Sequence, residues 1–427
     1  MAAEYSRPSA SSLFSEPQRW RFLGVLFLVS TSNYFDRNII SVLLEPIKYE
    51  FQISDTMLGL LSGLSFAIFF SMLGLPVARW ADRGNRRTII VLALSVWSVM
   101  TVCCGIAHTF WQLALARVGV GAGESGAVAP AHSLLVDYFP PEKRAFALAI
   151  FTSSSTAGYL LGIAVGGYVA ARYGWRAAFL VAGAPGLALA LLSRLVLAEP
   201  RLRPGFHPSS AAKESARGSL RQLARKRSYL YALLGCVLFL LLPFGAFLFI
   251  PSFLVRLMHL PLARASAMYG TVTSAASVVG TLGGGWLGDR LGRRDPRWFA
   301  WLPAIACLIT APLFICAFSA RDVRTFLVLT FIANTTMLGG IPIIWAAIHA
   351  VCGTQRRAMA VAIVLFTTTL FSGGFGPLLT GALSDALGTV FGTDGLRYSL
   401  LAMTTLLLPS SSLFYAFARA MPHDLEE

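Results

Sequence analysis

The sequence predicts an all-α membrane protein of twelve transmembrane helices in two parallel six-helix repeats. Three observations carry that prediction. The 427 residues are 56% hydrophobic and only 13% charged, with a mean hydropathy of +0.66, which is far more apolar surface than one soluble core uses. Apolar runs long enough to cross about 30 Å of hydrocarbon, which takes about 20 residues of helix, recur along nearly the whole chain. Finally, two pairs of sequence landmarks repeat at almost one offset.

The twelve runs are residues 20–44, 55–80, 88–107, 109–135, 145–170, 175–197, 229–257, 265–288, 298–318, 323–352, 358–384 and 396–418. The first follows about nineteen polar residues, is too long for a signal-peptide core and lacks a small-residue cleavage pattern, so it reads as a retained signal anchor. Between the sixth and seventh lies the longest polar segment, "EPRLRPGFHPSSAAKESARGSLRQLARKRSYL", which separates six spans from six. The organisation expected is a tail (1–19), an N-terminal bundle (20–197), a linker (198–228), a C-terminal bundle (229–418) and a second tail (419–427).

The net charge of +15 has a topological explanation. With the amino terminus taken as cytoplasmic, about 24 of the 35 Lys and Arg fall in the termini and inside loops and about 8 in outside loops; Arg37, Arg117 and Arg194 lie within spans. That bias is the positive-inside rule, so both termini are expected in the cytoplasm of a plasma (inner) membrane and no nucleic-acid partner is expected. The six cysteines lie within or at the edge of spans without CxxC or Cys/His spacing, which argues against zinc or redox chemistry. "GAGESG" (121–126) satisfies GxGxxG but follows no strand, so it is not a dinucleotide site. With no nucleophile–base–acid set and no metal-ligand spacing, neither an enzyme nor a cofactor is expected.

The internal repeat points to transport. "WADRGNRR" (80–87) follows the second span and "LGDRLGRR" (287–294) the eighth, with Asp82 and Asp289 207 residues apart. "KRAFALAI" (143–150) precedes the fifth span and "RRAMAVAI" (356–363) the eleventh, an offset of 213. Parallel repeats with a site at the membrane midplane are an alternating-access design. These loops resemble the major facilitator superfamily signature between helices two and three and its echo between helices eight and nine. The first copy departs from it, with Ala78 where the second has Gly285. More narrowly, "NYFDRNIISVLLEPIKYEFQISDTMLGLLSG", "GVGAGESGAVAPAHSLLVDYFPPEKRAFALAI" and "YGWRAAFLVAGAPG" are similar to the spinster family. That resemblance, lying almost entirely in the N-terminal half, implies a carrier; animal members export sphingosine-1-phosphate or lysophospholipids.

Chemistry is expected where charge is costly to keep. A charged residue at a helix centre costs about 2.5 to 3.5 kcal/mol to insert. Asp36 and Arg37 therefore cancel most of the insertion energy of the first span. Adjacent residues on a helix point about 100° apart and so must find different partners. In the fourth span, Arg117 and Glu124 are seven apart, on one face and about 10 Å apart along the axis. Asp36 is expected to pair with Arg117 or Arg37 in some states of the carrier, and Glu124 to be the less compensated acid. The spinster resemblance implies the same four residues, since its members carry an acid–arginine pair in the first helix and an arginine and a glutamate in the fourth. The reading is proton coupling through Asp36 and Glu124, with Arg37, Arg117 and Asn33 receiving an anionic or zwitterionic head group. A static salt-bridge cluster that only fixes packing is the competing reading.

The C-terminal spans have almost no ionisable residue away from their ends. Phe244, Phe247 and Phe249, then Asn334, then Trp345 form the expected lining for an apolar tail, with Asn334 the polar candidate. Asp82, Arg83, Arg86 and Arg87, with Asp289, Arg290 and Arg293, are expected to latch the cytoplasmic side, and Asp137 to join them through Lys143 and Arg144. The substrate expected is a small amphipathic lipid-like molecule, moved by a monomer within the lipid bilayer together with protons. Import of small organic or aromatic acids is the alternative within transport. A receptor or passive channel is the alternative outside it.

Overall fold

The computed structural model describes residues 13–203 and 216–424, and every regular element among them is helical. The first helix, α1 (Glu16–Phe51), has 36 residues, about 54 Å of length, with Glu16 in its first turn and Lys48 in its last, each placed to suit the helix dipole. It ends where Gln52 takes a left-handed φ of 51°. Ser54 then caps α2 (Asp55–Gly59), its side chain accepting from the Met57 amide; a π-helical turn (Leu60–Leu64) and α3 (Ser65–Arg83) complete the second membrane segment.

Asn85 caps α4 (Arg86–Gly105) and Thr109 caps α5 (Phe110–Glu124) through side chains that accept the amides of Thr88 and Gln112. The fourth expected span is not one helix: α5 stops at Glu124 and α6 (Val128–Tyr138) resumes after a tight turn. Pro130 explains the interruption, because it has no N–H to offer residue 126 and its ring crowds that carbonyl. The helices α7 (Pro141–Tyr173) and α8 (Trp175–Val196) meet at Gly174, whose φ of 86° suits glycine.

Beyond the linker come α9 (Ala216–Arg225), α10 (Arg227–Phe244), α11 (Ile250–Leu257), α12 (Leu262–Gly292), α13 (Trp298–Ser319) and α14 (Val323–Thr367). A π-helical stretch (Thr368–Phe375) leads to α15 (Gly376–Phe391), α16 (Gly395–Thr405) and α17 (Leu407–Asp424). The break expected at 353–357 is absent, since α14 runs through it as one helix of 45 residues. Among the described residues, eight segments are long and apolar enough to cross a membrane. The regions below that threshold include α1 and α5, where the buried charges lie, and α12, which is rich in Gly, Ser and Thr. Helix ends and apolarity therefore confirm an all-helical membrane protein without themselves counting out twelve spans.

The chain divides into two compact units, Met1–Ile39 with Ile68–Ala211 and Ile40–Ala67 with Ala212–Glu427. In the first unit, α4 packs closely on α5 and α8 at glycines. A Cβ on Gly123 would lie 2.6 Å from the Trp97 backbone nitrogen, so only glycine lets these helices approach so closely. The glycine face expected on the fifth span is used the same way, with Gly158 against the Thr31 carbonyl of α1. In the second unit, Phe253, Phe314, Phe318 and Phe326 pack ring on ring, Phe314 and Phe318 stacking at 5.6 Å. Phe247 joins them through Phe314, and Phe249 is fully buried, so these two are core. Phe244 lies 43% exposed.

The Gly123 contact gives a direct test of the packing. Gly123→Val is expected to lower the thermal stability of the purified protein by about 1 to 3 kcal/mol. Gly24→Ala, where a Cβ meets nothing within 4 Å, should be neutral or slightly stabilising. Equal losses in both variants would contradict the account.

Candidate functional site

The buried charges of α1 and α5 fall into one layer of the first unit. Arg37 donates through Nε and Nη2 to one oxygen of Glu124, at 3.2 and 2.9 Å. Its guanidinium also lies 4.7 Å over the Phe70 ring of α3. Glu124 is fully buried whereas the Arg37 side chain is 29% exposed, so the arginine is the member of the pair that faces open volume. Asn33 is one turn before Arg37 on the same face and is buried.

Asp36 points the other way, as the 100° step between neighbours requires. It is fully buried, and neither carboxylate oxygen closes a hydrogen bond among the described residues. Arg117 reaches the backbone carbonyl of Asp36 at 3.5 Å. The pairing expected from the sequence is thus reversed: Glu124 has the guanidinium, and Asp36 is the less compensated acid. The physical reason is helical phase: the 100° step that turns Arg37 onto Glu124 of α5 turns its neighbour Asp36 away from it.

The first signature loop forms a second buried network. Arg86 is 1% exposed; it binds Glu199 through its side chain at 2.6 Å and through its backbone amide, and pairs with Asp137 at 2.6 Å. Tyr138 donates to the Ala198 carbonyl beside it. Asp137 does not use Lys143 or Arg144: Lys143 pairs with Glu16, and Arg144 donates to the Phe139 carbonyl. Arg87 reaches the Leu197 carbonyl, while Asp82 and Arg83 are exposed. The second copy is arranged differently, with Asp289, Arg290 and Arg293 exposed and Arg290 over the Trp286 ring. Among the polar lining residues, Asn334 is fully buried and donates to Thr273, and Trp345 is half-buried.

A third network, in the second unit, was not read from the sequence. Arg256 at the end of α11 forks onto both oxygens of Asp55 at 2.7 Å each and onto Glu45 at 2.6 Å. Lys48 and Ser384 also bind Asp55. Asp385 accepts the backbone amides of Asp55 and Thr56 and the Thr56 hydroxyl, so a carboxylate on α15 caps the start of α2. Gly381 permits that approach, since a Cβ there would lie 2.0 Å from the Asp55 carbonyl. Glu45, Lys48, Asp55, Arg256, Ser384 and Asp385 line a cavity of about 660 Å³. Arg256 and Asp385 each sit at the edge of an expected span, where a charge looks merely solvated. The helix-start signal "SDTM" (54–57) was the available hint.

A membrane bundle holding buried acids against arginines in one unit, with one arginine partly exposed, is suited to a solute carrier. The sequence of the Major Facilitator Superfamily matches residues 26–315. The chain belongs to that superfamily and is spinster-like within it: a membrane transporter, not an enzyme. It is 35% identical to an MFS-type efflux pump of Mycolicibacterium smegmatis over 95% of this chain and 94% of that protein. It is 26% identical to a sphingosine-1-phosphate transporter of Danio rerio over 92% and 83%. A crystal structure of a bacterial homologue of the human lysosomal transporter Spinster aligns with a TM-score of 0.88 at 29% identity, covering 97% of this chain and all of that one.

Removing one partner of a buried ion network strands the others, at a cost of about 3 to 5 kcal/mol. Arg256→Ala is therefore expected to lower thermal stability by that amount, with partial recovery in the Arg256→Ala/Asp55→Asn double variant. A loss below 1 kcal/mol, or no recovery, would show that the network bears little load.

Proposed function

We propose that the protein is a proton-coupled secondary carrier that exports an amphipathic, lipid-like substrate by alternating access of two six-helix halves, residues 20–197 and 229–418. It works as a monomer in the plasma (inner) membrane with both termini cytoplasmic. The observation that carries this reading is the layer of two acids and two arginines in α1 and α5, where one acid is paired and the other is not. Packing alone does not account for it, because an apolar residue avoids the insertion cost that each charge incurs.

In this reading Arg37, held on Phe70 and partly open, receives the anionic or zwitterionic head group, and Arg117 adds positive potential behind it. A head group that competes for Arg37 releases Glu124 from its guanidinium, which frees that carboxyl for proton exchange. Asp36 is the second exchangeable acid. One proton moving down about 100 mV supplies about 2.3 kcal/mol, enough for a substrate gradient of roughly fortyfold. The similarity to an efflux pump and to a sphingosine-1-phosphate transporter supports export and a lipid-like cargo. The Glu45–Asp55–Arg256–Asp385 network is suited to hold the external end shut, because it joins the tip of the first two helices to the C-terminal half.

The test is proton uptake and release by the protein in liposomes on adding lysolipids and organic acids, for wild type, Asp36→Asn and Glu124→Gln. A lysolipid-triggered proton movement that either substitution abolishes is the expected result. Movement triggered only by organic acids would reassign the substrate class. Binding without any proton movement in wild type would overturn the coupling.

A further inference from the structure

The two copies of the repeated loop differ in what their arginines bind. In the first, Arg86 is buried between Glu199 and Asp137, and Arg87 reaches the Leu197 carbonyl. The second supplies Arg290, Arg293 and Arg294, with Arg297 beyond them; all four are exposed, and no carboxylate pairs with any of them among the described residues. Ala350 stands 213 residues after Asp137, the offset at which the adjoining motifs repeat, so the acid that holds Arg86 has no counterpart there. Residues 289–297 contain four arginines against two aspartates, and Asp295 is engaged within the turn, accepting the Arg297 amide at 2.8 Å. The turn is well closed: the Arg294 amide donates to the Leu291 carbonyl at 2.9 Å and the Trp298 amide to the Asp295 carbonyl at 3.0 Å. Phe299 covers Gly292 so closely that a Cβ there would lie 2.3 Å from its ring.

Tryptophans set the depth of this turn. The helix α13 is long and apolar enough to cross a membrane, and in its first turn Trp298 and Trp301 meet edge to face at 5.3 Å. On the other side of the turn Trp286 is 62% exposed, with the Arg290 guanidinium 5.3 Å over its ring. Indole rings collect at the head-group level of a bilayer, so the arginines between them stand at the depth of lipid phosphates. The ring beneath Arg290 and the carbonyl end of α12 both favour a cation held there. We propose that this turn binds the head group of an anionic phospholipid in the leaflet it faces, the cytoplasmic one in the topology proposed above, with the lipid phosphate in the role that Glu199 and Asp137 fill in the first copy. A guanidinium fork matches a phosphate with two parallel hydrogen bonds. Orientation of the chain alone would be served by basic residues anywhere in the loop; a closed turn flanked by indoles is what a bound head group uses. The proposal requires the bilayer but neither the substrate nor the proton coupling assigned above.

The experiment is native mass spectrometry of the purified full-length protein titrated with diacyl phosphatidylglycerol or, separately, diacyl phosphatidylcholine. Wild type is compared with Arg290→Gln/Arg293→Gln and with Arg321→Gln/Arg324→Gln, which removes equal charge from exposed residues beyond the other end of α13. Wild type is expected to prefer phosphatidylglycerol, and the first variant to bind it more weakly by about fivefold per arginine removed, with the control unchanged. Arg290→Lys/Arg293→Lys, which keeps the charge, should lose less than the glutamine pair. As a second readout, phosphatidylglycerol added to phosphatidylcholine vesicles should raise the melting temperature of wild type and control but not of Arg290→Gln/Arg293→Gln. Equal affinity of wild type for the two lipids would overturn the proposal, as would equal losses in the two glutamine variants. Displacement of phosphatidylglycerol by inorganic phosphate at equal concentration would also overturn it, by assigning the turn to a soluble anion. Neither readout involves transport, so this result and that of the liposome test are independent.

Discussion

Charge inside hydrocarbon must be compensated, and the Arg37–Glu124 pair is where this protein meets that requirement most fully. Glu124 is the last residue of α5, and the glycines around it bring α4 close enough to complete the surroundings. Arg37 reaches Glu124 while its neighbour Asp36, about 100° round the helix, is turned away from it. The first unit is organised around this one contact: α1 and α5 each supply an acid and an arginine, α4 packs against the end of α5 and α3 supplies the aromatic ring beside Arg37. A pair with one buried member and one open member is also easily exchanged. A ligand can compete for the guanidinium without first unpacking the carboxylate.

The other two networks are built for different work. Arg86, Glu199 and Asp137 are all within the first unit, and Arg86 is nearly inaccessible, so this cluster holds the ends of α4, α6 and α8 as a fixed corner. The signature loop thereby acts first as a structural brace. The Asp55 network joins two segments distant in sequence through a forked guanidinium and a helix cap supplied by another helix. Its charges are multiply bonded and its backbone contacts depend on a glycine, a combination that forms or breaks as a unit.

Much of the fold was legible because its causes are local. Apolar runs, alternating basic loops and two repeated motifs gave an all-helical membrane protein, and Asp36, Arg37, Arg117 and Glu124 stood out as charges where none should be. Partner choice was not legible, because it depends on helical phase and on which helix is adjacent. Thus Glu124, not Asp36, took Arg37, and Asp137 took Arg86 in place of Lys143 or Arg144. Helix continues through 353–357 because a polar knot does not itself end a helix. Pro130 did end one, and its effect could have been read from the sequence.

The central claim is that the charges of α1 and α5 exchange protons as ligand binds. Calorimetric titration of a lysolipid into wild-type protein in two buffers of different ionisation enthalpy measures that exchange directly. The account predicts a non-zero number of protons per ligand for wild type that falls toward zero in Asp36→Asn or Glu124→Gln while binding persists. The same proton count in all three proteins would contradict it and leave the cluster as packing.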